Sequence, residues 1–221
     1  MATSARIEEI LRSLLEPESV TARLDGTSHT ILPVGIPPAE GEALRGWVVR
    51  AGAASTIEIG LGYGISALYI CAGLLANGHS NPHHLALDPN QTWRFSDIAL
   101  QAIDDAGLTE VFEFHPEDSQ LALPRLVAEG RSFDFAFVDG NHRFDGVFVD
   151  LMYLARLVRG GGIVFLDDYE LPGVKKAVGF CTSNLDWTLE EEGEGDELHH
   201  WAVLRLPSAP VERAFYHFVE F

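Results

Sequence analysis

"TIEIGLGYGIS", residues 56–66, decides the fold. A short apolar run leads into three glycines at alternate positions, Gly60, Gly62 and Gly64, and from Ile65 the chain takes on a helical pattern. The order is strand, tight turn, helix. Glycines permit such a turn and let a ligand approach the backbone, while the start of the following helix offers unpaired N–H groups and partial positive charge. An anionic or carboxylate-bearing ligand fits that place, although a tight strand-to-helix turn needs the same glycines. The spacing is G-x-G-x-G, with Ile65 where a dinucleotide fingerprint has its third glycine. Glu58 lies just inside the strand, and Asp88 ends the next one, where it can accept hydrogen bonds from ribose hydroxyls.

Outward from this loop the chain keeps one rhythm. Short strands at 56–60, 84–88, 111–115, 133–139 and 162–167 alternate with segments of helical period. In one of these, Phe144, Val147, Phe148, Leu151, Leu154, Ala155 and Val158 keep a single apolar face. Right-handed crossovers between such units predict a parallel sheet with helices on both faces. At the end, 185–191 and 199–206 read as strands joined by the acidic link "EGEGDEL" without a helix, so they should form an antiparallel hairpin at one sheet edge. The fold class is α/β, a Rossmann-like doubly wound seven-stranded sheet, mostly parallel with a C-terminal antiparallel hairpin. Before the loop, Ile7, Ile10, Leu11, Leu14 and Leu15 predict an amphipathic helix over 4–16 behind a Ser4 cap. Residues 17–38 are rich in Pro, Gly, Ser and Thr, and "AEGEALRGWVVRAG" reads as a second helix packed through Leu44, Trp47 and Val48. Residues 1–50 are therefore expected to be a helical cover segment, and 51–221 the main domain.

Fifteen Lys plus Arg against 33 Asp plus Glu give a net charge of −18 across 221 residues. That field repels phosphate backbones and anionic headgroups, which argues against nucleic acid and membrane surfaces as partners. Cys71 and Cys181, the only cysteines, show no metal-binding spacing and suit buried thiols in a reducing compartment. No uninterrupted apolar run approaches a membrane span, and the N-terminus has no signal-peptide core. The expectation is a cytoplasmic protein.

A second cluster of chemistry lies at two later strand ends. Asp139 ends the fourth strand in "FVDGNHRFDG" (137–146), and Asp167 with Asp168 ends the fifth in "GGGIVFLDDY". Three converging carboxylates repel unless a cation or hydrogen bonds compensate. Successive strand residues point to opposite faces, so Asp167 and Asp168 reach one site only if the strand is already turning there. Otherwise one caps a helix and another faces solvent. An all-oxygen set suits Mg²⁺, Mn²⁺ or Ca²⁺.

"EIGLGYGIS", "ALDPNQ", "EDSQLALPRL", "FVDGNHRFDG" and "GGGIVFLDDY" together resemble, in order and spacing, the class I S-adenosylmethionine-dependent methyltransferases. They are most similar to the metal-dependent small-molecule branch, which includes catechol O-methyltransferase and bacterial macrolide-sugar O-methyltransferases. The resemblance covers about residues 35–205. It implies that Gly60, Gly62 and Gly64 pass under the methionine part of the cofactor, that Ser66 binds its carboxylate and that Asp88 holds its ribose. Asp118, Ser119 and Gln120 match the block bordering adenine, and Glu58 the acidic position of the first strand, more often a loop organiser than a contact. Asp139, Asp167 and Asp168 correspond to Mg²⁺ ligands.

The implied activity is methyl transfer to a hydroxyl of a small-molecule acceptor. Methylation requires that hydroxyl to lose its proton, and His142, three residues after Asp139, is the candidate base, the alternative being a helix cap. Catechol O-methyltransferase carries lysine there, and histidine resembles the sugar methyltransferases. Competing readings are metal-independent N-methylation, transfer of another group from the sulfonium, a non-catalytic cofactor-binding protein and, last, an NAD-dependent oxidoreductase. A homodimer through the N-terminal helices is a further expectation. Trp93 and Phe95 either flank adenine or belong to helix core, and Tyr169 is a candidate for the acceptor pocket. The pairs His83–His84 and His199–His200 are poor metal sites because neighbours on a strand point apart.

Overall fold

In the computed structural model, which describes residues 3–209 and 211–221, the chain starts with α1 (Ser4–Leu15), a small hairpin of β1 (Val20–Thr21) and β2 (Ser28–His29), and α2 (Pro38–Arg50). The alternating part runs β3 (Ser55–Ile59), α3 (Ile65–Asn77), β4 (His83–Leu87), α4 (Gln91–Phe95), α5 (Ile98–Asp105), β5 (Phe112–His115), α6 (Ser119–Ala128), β6 (Phe133–Val138), α7 (Phe144–Leu157), β7 (Val158–Leu166) and α8 (Pro172–Asn184). It closes with β8 (Thr188–Glu194) and β9 (His200–Arg205).

The seven-stranded sheet has the order β5-β4-β3-β6-β7-β9-β8. All pairings from β5 to β7 are parallel, while β9 runs antiparallel to both β7 and β8. The expected sheet and its terminal hairpin are therefore present, with β9 inserted between β7 and the edge strand β8. Strand residues alternate between two cores. Phe135, Phe137, Ile163 and Phe165 face the layer of α1, α2 and α3, whereas Ala136, Val138, Val164 and Leu166 face α6, α7 and α8. Burial on both faces explains why β6 and β7 are nearly continuous in apolar residues.

Several boundaries differ from the sequence reading. Thr3, not Ser4, caps α1, its side chain accepting from the Arg6 N–H. The Pro- and Gly-rich stretch contains the β1–β2 pair, too short to show periodicity. β8 extends to Glu194, inside the acidic link, because at a sheet edge exposed glutamates can alternate outward. The apolar stripe of α1, Ile7, Ile10, Leu11 and Leu14, is buried in the chain's own core together with Leu44, Trp47 and Val48 of α2. A dimer through these helices would have to use their outer faces. No helix among the described residues is long and apolar enough to cross a membrane.

Candidate active site

β3 and β6 are neighbours, so their carboxyl ends bring the glycine loop against the turn after β6. Gly60 has φ +89°, and a Cβ there would lie 1.9 Å from the Asp139 carbonyl oxygen. Only glycine permits this approach, which fixes Asp139 relative to the loop. Asp88, at the end of β4, ties down the same loop. Its Oδ2 accepts from the N–H groups of Leu61 (3.1 Å) and Gly62 (2.9 Å) and from Gln91 Nε2 (3.1 Å), and its Oδ1 accepts from the Asn90 N–H (2.7 Å).

These groups open on one cavity of about 490 Å³, within the usual range for a small-molecule site. Gly60, Gly62, Asp88, Asp118 and Ser119 line one part of it, and Asp139, His142, Asp167 and Asp168 another. Asp168 has φ +55°. This left-handed residue is the strand turning, and it lets two successive aspartates reach the same cavity. The Asp168 N–H donates to Asp167 Oδ1 at 2.6 Å, locking the turn.

His142 stands between two of the carboxylates, with Nε2 donating to Asp139 Oδ1 at 3.2 Å and Nδ1 2.5 Å from Asp168 Oδ2. Ligand-capable atoms of Asp139, His142 and Asp168 all lie within 4.8 Å of one another. Burial works against a charged imidazole, but the two carboxylates outweigh it and push the His142 pKa up to about 10. Burial raises the Asp139 pKa to about 6 against the pull of His142. Asp167, buried and facing Asp139 and Asp168, is raised to about 8. The imidazolium is thus a cation that holds Asp139 and Asp168 together.

Residues 57–169, about half of the chain, match a family model described as a methyltransferase domain. The chain belongs to this methyltransferase family. Among curated relatives, it is 32% identical over 150 residues to tricin synthase 2 of Oryza sativa subsp. japonica, a match spanning 66% of this chain but 48% of that protein. It is 26% identical over 184 residues to a caffeoyl-CoA O-methyltransferase of Stellaria longipes, spanning 78% of this chain and 74% of the relative. The fold is that of an O-methyltransferase from Bacillus cereus solved with SAH, with TM-score 0.71, 17% identity and coverage of 93% and 92% of the two chains. It is also that of the O-methyltransferase TomG from Streptomyces achromogenes solved with SAM, with TM-score 0.70, 18% identity and coverage of 91% and 89%.

Within this methyltransferase chain, not every residue expected at the site lines the cavity. Ser66 is buried and its hydroxyl donates to Glu58 Oε1, so it points into the core. Glu58 in turn meets His84 Nε2 at 3.1 Å, and His84 Nδ1 meets the Thr56 hydroxyl at 2.8 Å. Glu58 is therefore an organiser of the strand-to-helix junction. Gly64, φ +82°, begins α3 and allows close packing on Ala99, where a Cβ would come within 2.9 Å. Gln120 is exposed on α6, outside the cavity lining. Of the aromatic pair, Phe95 is buried and lines the cavity while Trp93 is 75% exposed. Tyr169 lies outside the lining and its hydroxyl reaches Glu192. His199 does line it, held by Asp196 Oδ1 at 2.8 Å and by the Pro33 carbonyl at 3.0 Å.

The sequence reading also missed Glu40. This first-turn residue of α2 is completely buried, and its carboxyl group lies against Asp167. Burial and the neighbouring carboxylates of Asp167, Asp139 and Asp168 push its pKa far above the carboxylate range. As one of two glutamates near the start of α2, Glu40 carries no sequence signal of such an environment.

Proposed function

We propose that this chain is an S-adenosylmethionine-dependent methyltransferase acting on a hydroxyl of a small molecule, with a divalent cation at Asp139, Asp167 and Asp168 and His142 as the base. The observation that carries the reading is the single cavity shared by the glycine loop and the Asp139–His142–Asp168 cluster. Names of relatives and structural neighbours, O-methyltransferases with SAM or SAH among them, support it.

The residues present fit both groups. Asp88 Oδ1 accepts a single hydrogen bond from protein and keeps capacity for a ribose hydroxyl. Gly62, with nothing within 4 Å of a Cβ position, leaves the backbone open beneath a methionine chain beside Gly60, and Asp118 and Ser119 would border the adenine end. The donor set at the other end is oxygen-rich and carries excess negative charge, as a hard divalent ion requires. When bound, the cofactor supplies an electrophilic methyl group and the cation lowers the pKa of the acceptor hydroxyl and orients it.

The chain's own contribution is positioning and proton transfer. Asp139, fixed by the approach of Gly60, and Asp168, fixed by its left-handed turn, hold the acceptor end in line with the glycine loop. His142 bridges these two aspartates as an imidazolium and has no lone pair to offer. With Asp139 and Asp168 compensated by a bound cation, the imidazolium would give its extra proton to solvent, and the neutral imidazole would then take the hydroxyl proton at Nδ1 or Nε2.

The acceptor is compact and carries no polyphosphate. Five aspartates line the cavity, Asp88, Asp118, Asp139, Asp167 and Asp168, against one basic residue of the Lys/Arg type, Arg94. That field disfavours a coenzyme A thioester such as the names of some relatives contain. The test is methyl transfer from labelled S-adenosylmethionine to a panel of catechols and polyols and to caffeoyl-CoA, with Mg²⁺ or with excess EDTA. Transfer to an uncharged acceptor that stops in EDTA is expected. Undiminished turnover in EDTA would remove the cation from the mechanism, and preference for the thioester would overturn the acceptor class.

A further inference from the structure

Glu40 combines complete burial with a lack of donors. Its residue exposure is 0%, and neither Oε1 nor Oε2 receives a hydrogen bond from the described residues. The group it lies against, the carboxyl of Asp167, is itself buried. Leaving a buried carboxyl unpartnered is costly, and replacing it would ordinarily stabilise the fold. The side chain is aimed at the acidic cluster from behind. Glu40 lies outside the cavity lining, whereas Asp167 faces the cavity. The turn between β8 and β9 closes over it, so that a Cβ on Gly195 would lie 3.6 Å from Glu40 Cβ.

We propose that Glu40 is a positioning residue of the cation centre, a fourth carboxylate that acts through Asp167 to strengthen binding of a divalent ion and ties that binding to the docking of α2. The inference rests on the reading that a cation binds at Asp139, Asp167 and Asp168. Four carboxylates then converge from three elements: α2, the turn after β6 and the turn after β7. A bound ion would supply the positive charge that the buried Glu40–Asp167 pair lacks, and Glu40, packed behind Asp167, would keep that side chain aimed at the ion. The first turn of α2 is thereby fastened to the sheet when the centre is filled.

The experiment is calorimetric titration of the full chain with Mn²⁺, comparing wild type, Glu40→Gln, Glu40→Asp and Asp139→Asn, with the melting temperature of each metal-free protein. Glu40→Gln should lower Mn²⁺ affinity by roughly 10- to 100-fold, the range for groups that orient metal ligands. Its metal-free melting temperature should equal or exceed that of wild type, and Glu40→Asp should recover part of the affinity. A purely structural role would lower the metal-free melting temperature and leave affinity unchanged. Wild-type affinity in Glu40→Gln, alongside loss in Asp139→Asn, overturns the role of Glu40 alone. Failure of the wild-type chain to bind Mn²⁺ overturns both this role and the cation centre itself. Should Glu40→Gln not fold, hydrogen exchange of the wild-type chain decides the matter. Mg²⁺ should slow exchange in the first turn of α2, and unchanged exchange there overturns the link.

Discussion

His142 Nδ1 lies 2.5 Å from Asp168 Oδ2. This contact joins the turn after β6 to the turn after β7, and with the second bond to Asp139 it places an imidazole at the centre of an acidic cavity. Removing the ring should therefore affect proton transfer far more than cofactor binding. For His142→Ala, turnover is expected to fall by about 10²–10⁴, the usual weight of a general base. Calorimetry with S-adenosylhomocysteine should show affinity near that of wild type. Equal turnover in the two proteins would return His142 to a purely structural role.

The glycine loop separates a packing requirement from a ligand requirement. A methyl at Gly60 collides with the Asp139 carbonyl at 1.9 Å, so Gly60→Ala should destabilise the protein by about 3 kcal/mol or more through forced backbone displacement. At Gly62 nothing lies within 4 Å and φ is +52°, so Gly62→Ala should cost only about 1–2 kcal/mol of conformational strain. Yet Gly62 lines the cavity, and its new methyl should weaken S-adenosylhomocysteine binding about tenfold or more. Urea melts and calorimetry on both variants check this. Unaltered binding in Gly62→Ala would move the cofactor away from the loop.

Away from the cavity, Glu113 gives a prediction in pH. Arg131, which donates to Oε2 at 2.8 Å, overcomes partial burial and, with His115 and His83, lowers the Glu113 pKa to about 2. A depressed folded-state pKa contributes stability that is present above the unfolded value near 4.5 and lost as pH falls through about 2. For this partly exposed cluster the contribution is on the order of 1 kcal/mol. Wild type should exceed Glu113→Gln in urea stability at pH 7 by about that amount, the two should converge towards pH 2, and a gap that widens in acid would contradict the assignment.

The sheet was legible because its strands are apolar on both faces and separated by helices of clear period, as in "FDFAFVD" followed by the stripe from Phe144 to Val158. Asp88, Asp139, Asp167 and Asp168 were legible because strand ends on one side of a parallel sheet share a crevice. Ser66 lies off the cavity for a local reason. It follows the glycines by two residues, but α3 has already begun at Ile65 and turns the hydroxyl inward to Glu58. The β1–β2 pair and Glu40 were illegible because two-residue strands have no periodicity and one buried acid in a polar helix looks like any exposed one. Asp168 shows the limit most directly. Whether it joined Asp167 in the cavity depended on a single backbone angle.

The most direct test is a crystal structure of the chain grown with S-adenosylhomocysteine and Mn²⁺, with the ion located by its anomalous signal. The homocysteine part should lie on Gly60 and Gly62 with the ribose at Asp88. The Mn²⁺ peak should lie among Asp139, Asp167 and Asp168, with His142 no longer bridging the aspartates. S-adenosylhomocysteine bound elsewhere, or bound there with the Asp139–His142–Asp168 bridge intact and no Mn²⁺ peak, would contradict the account.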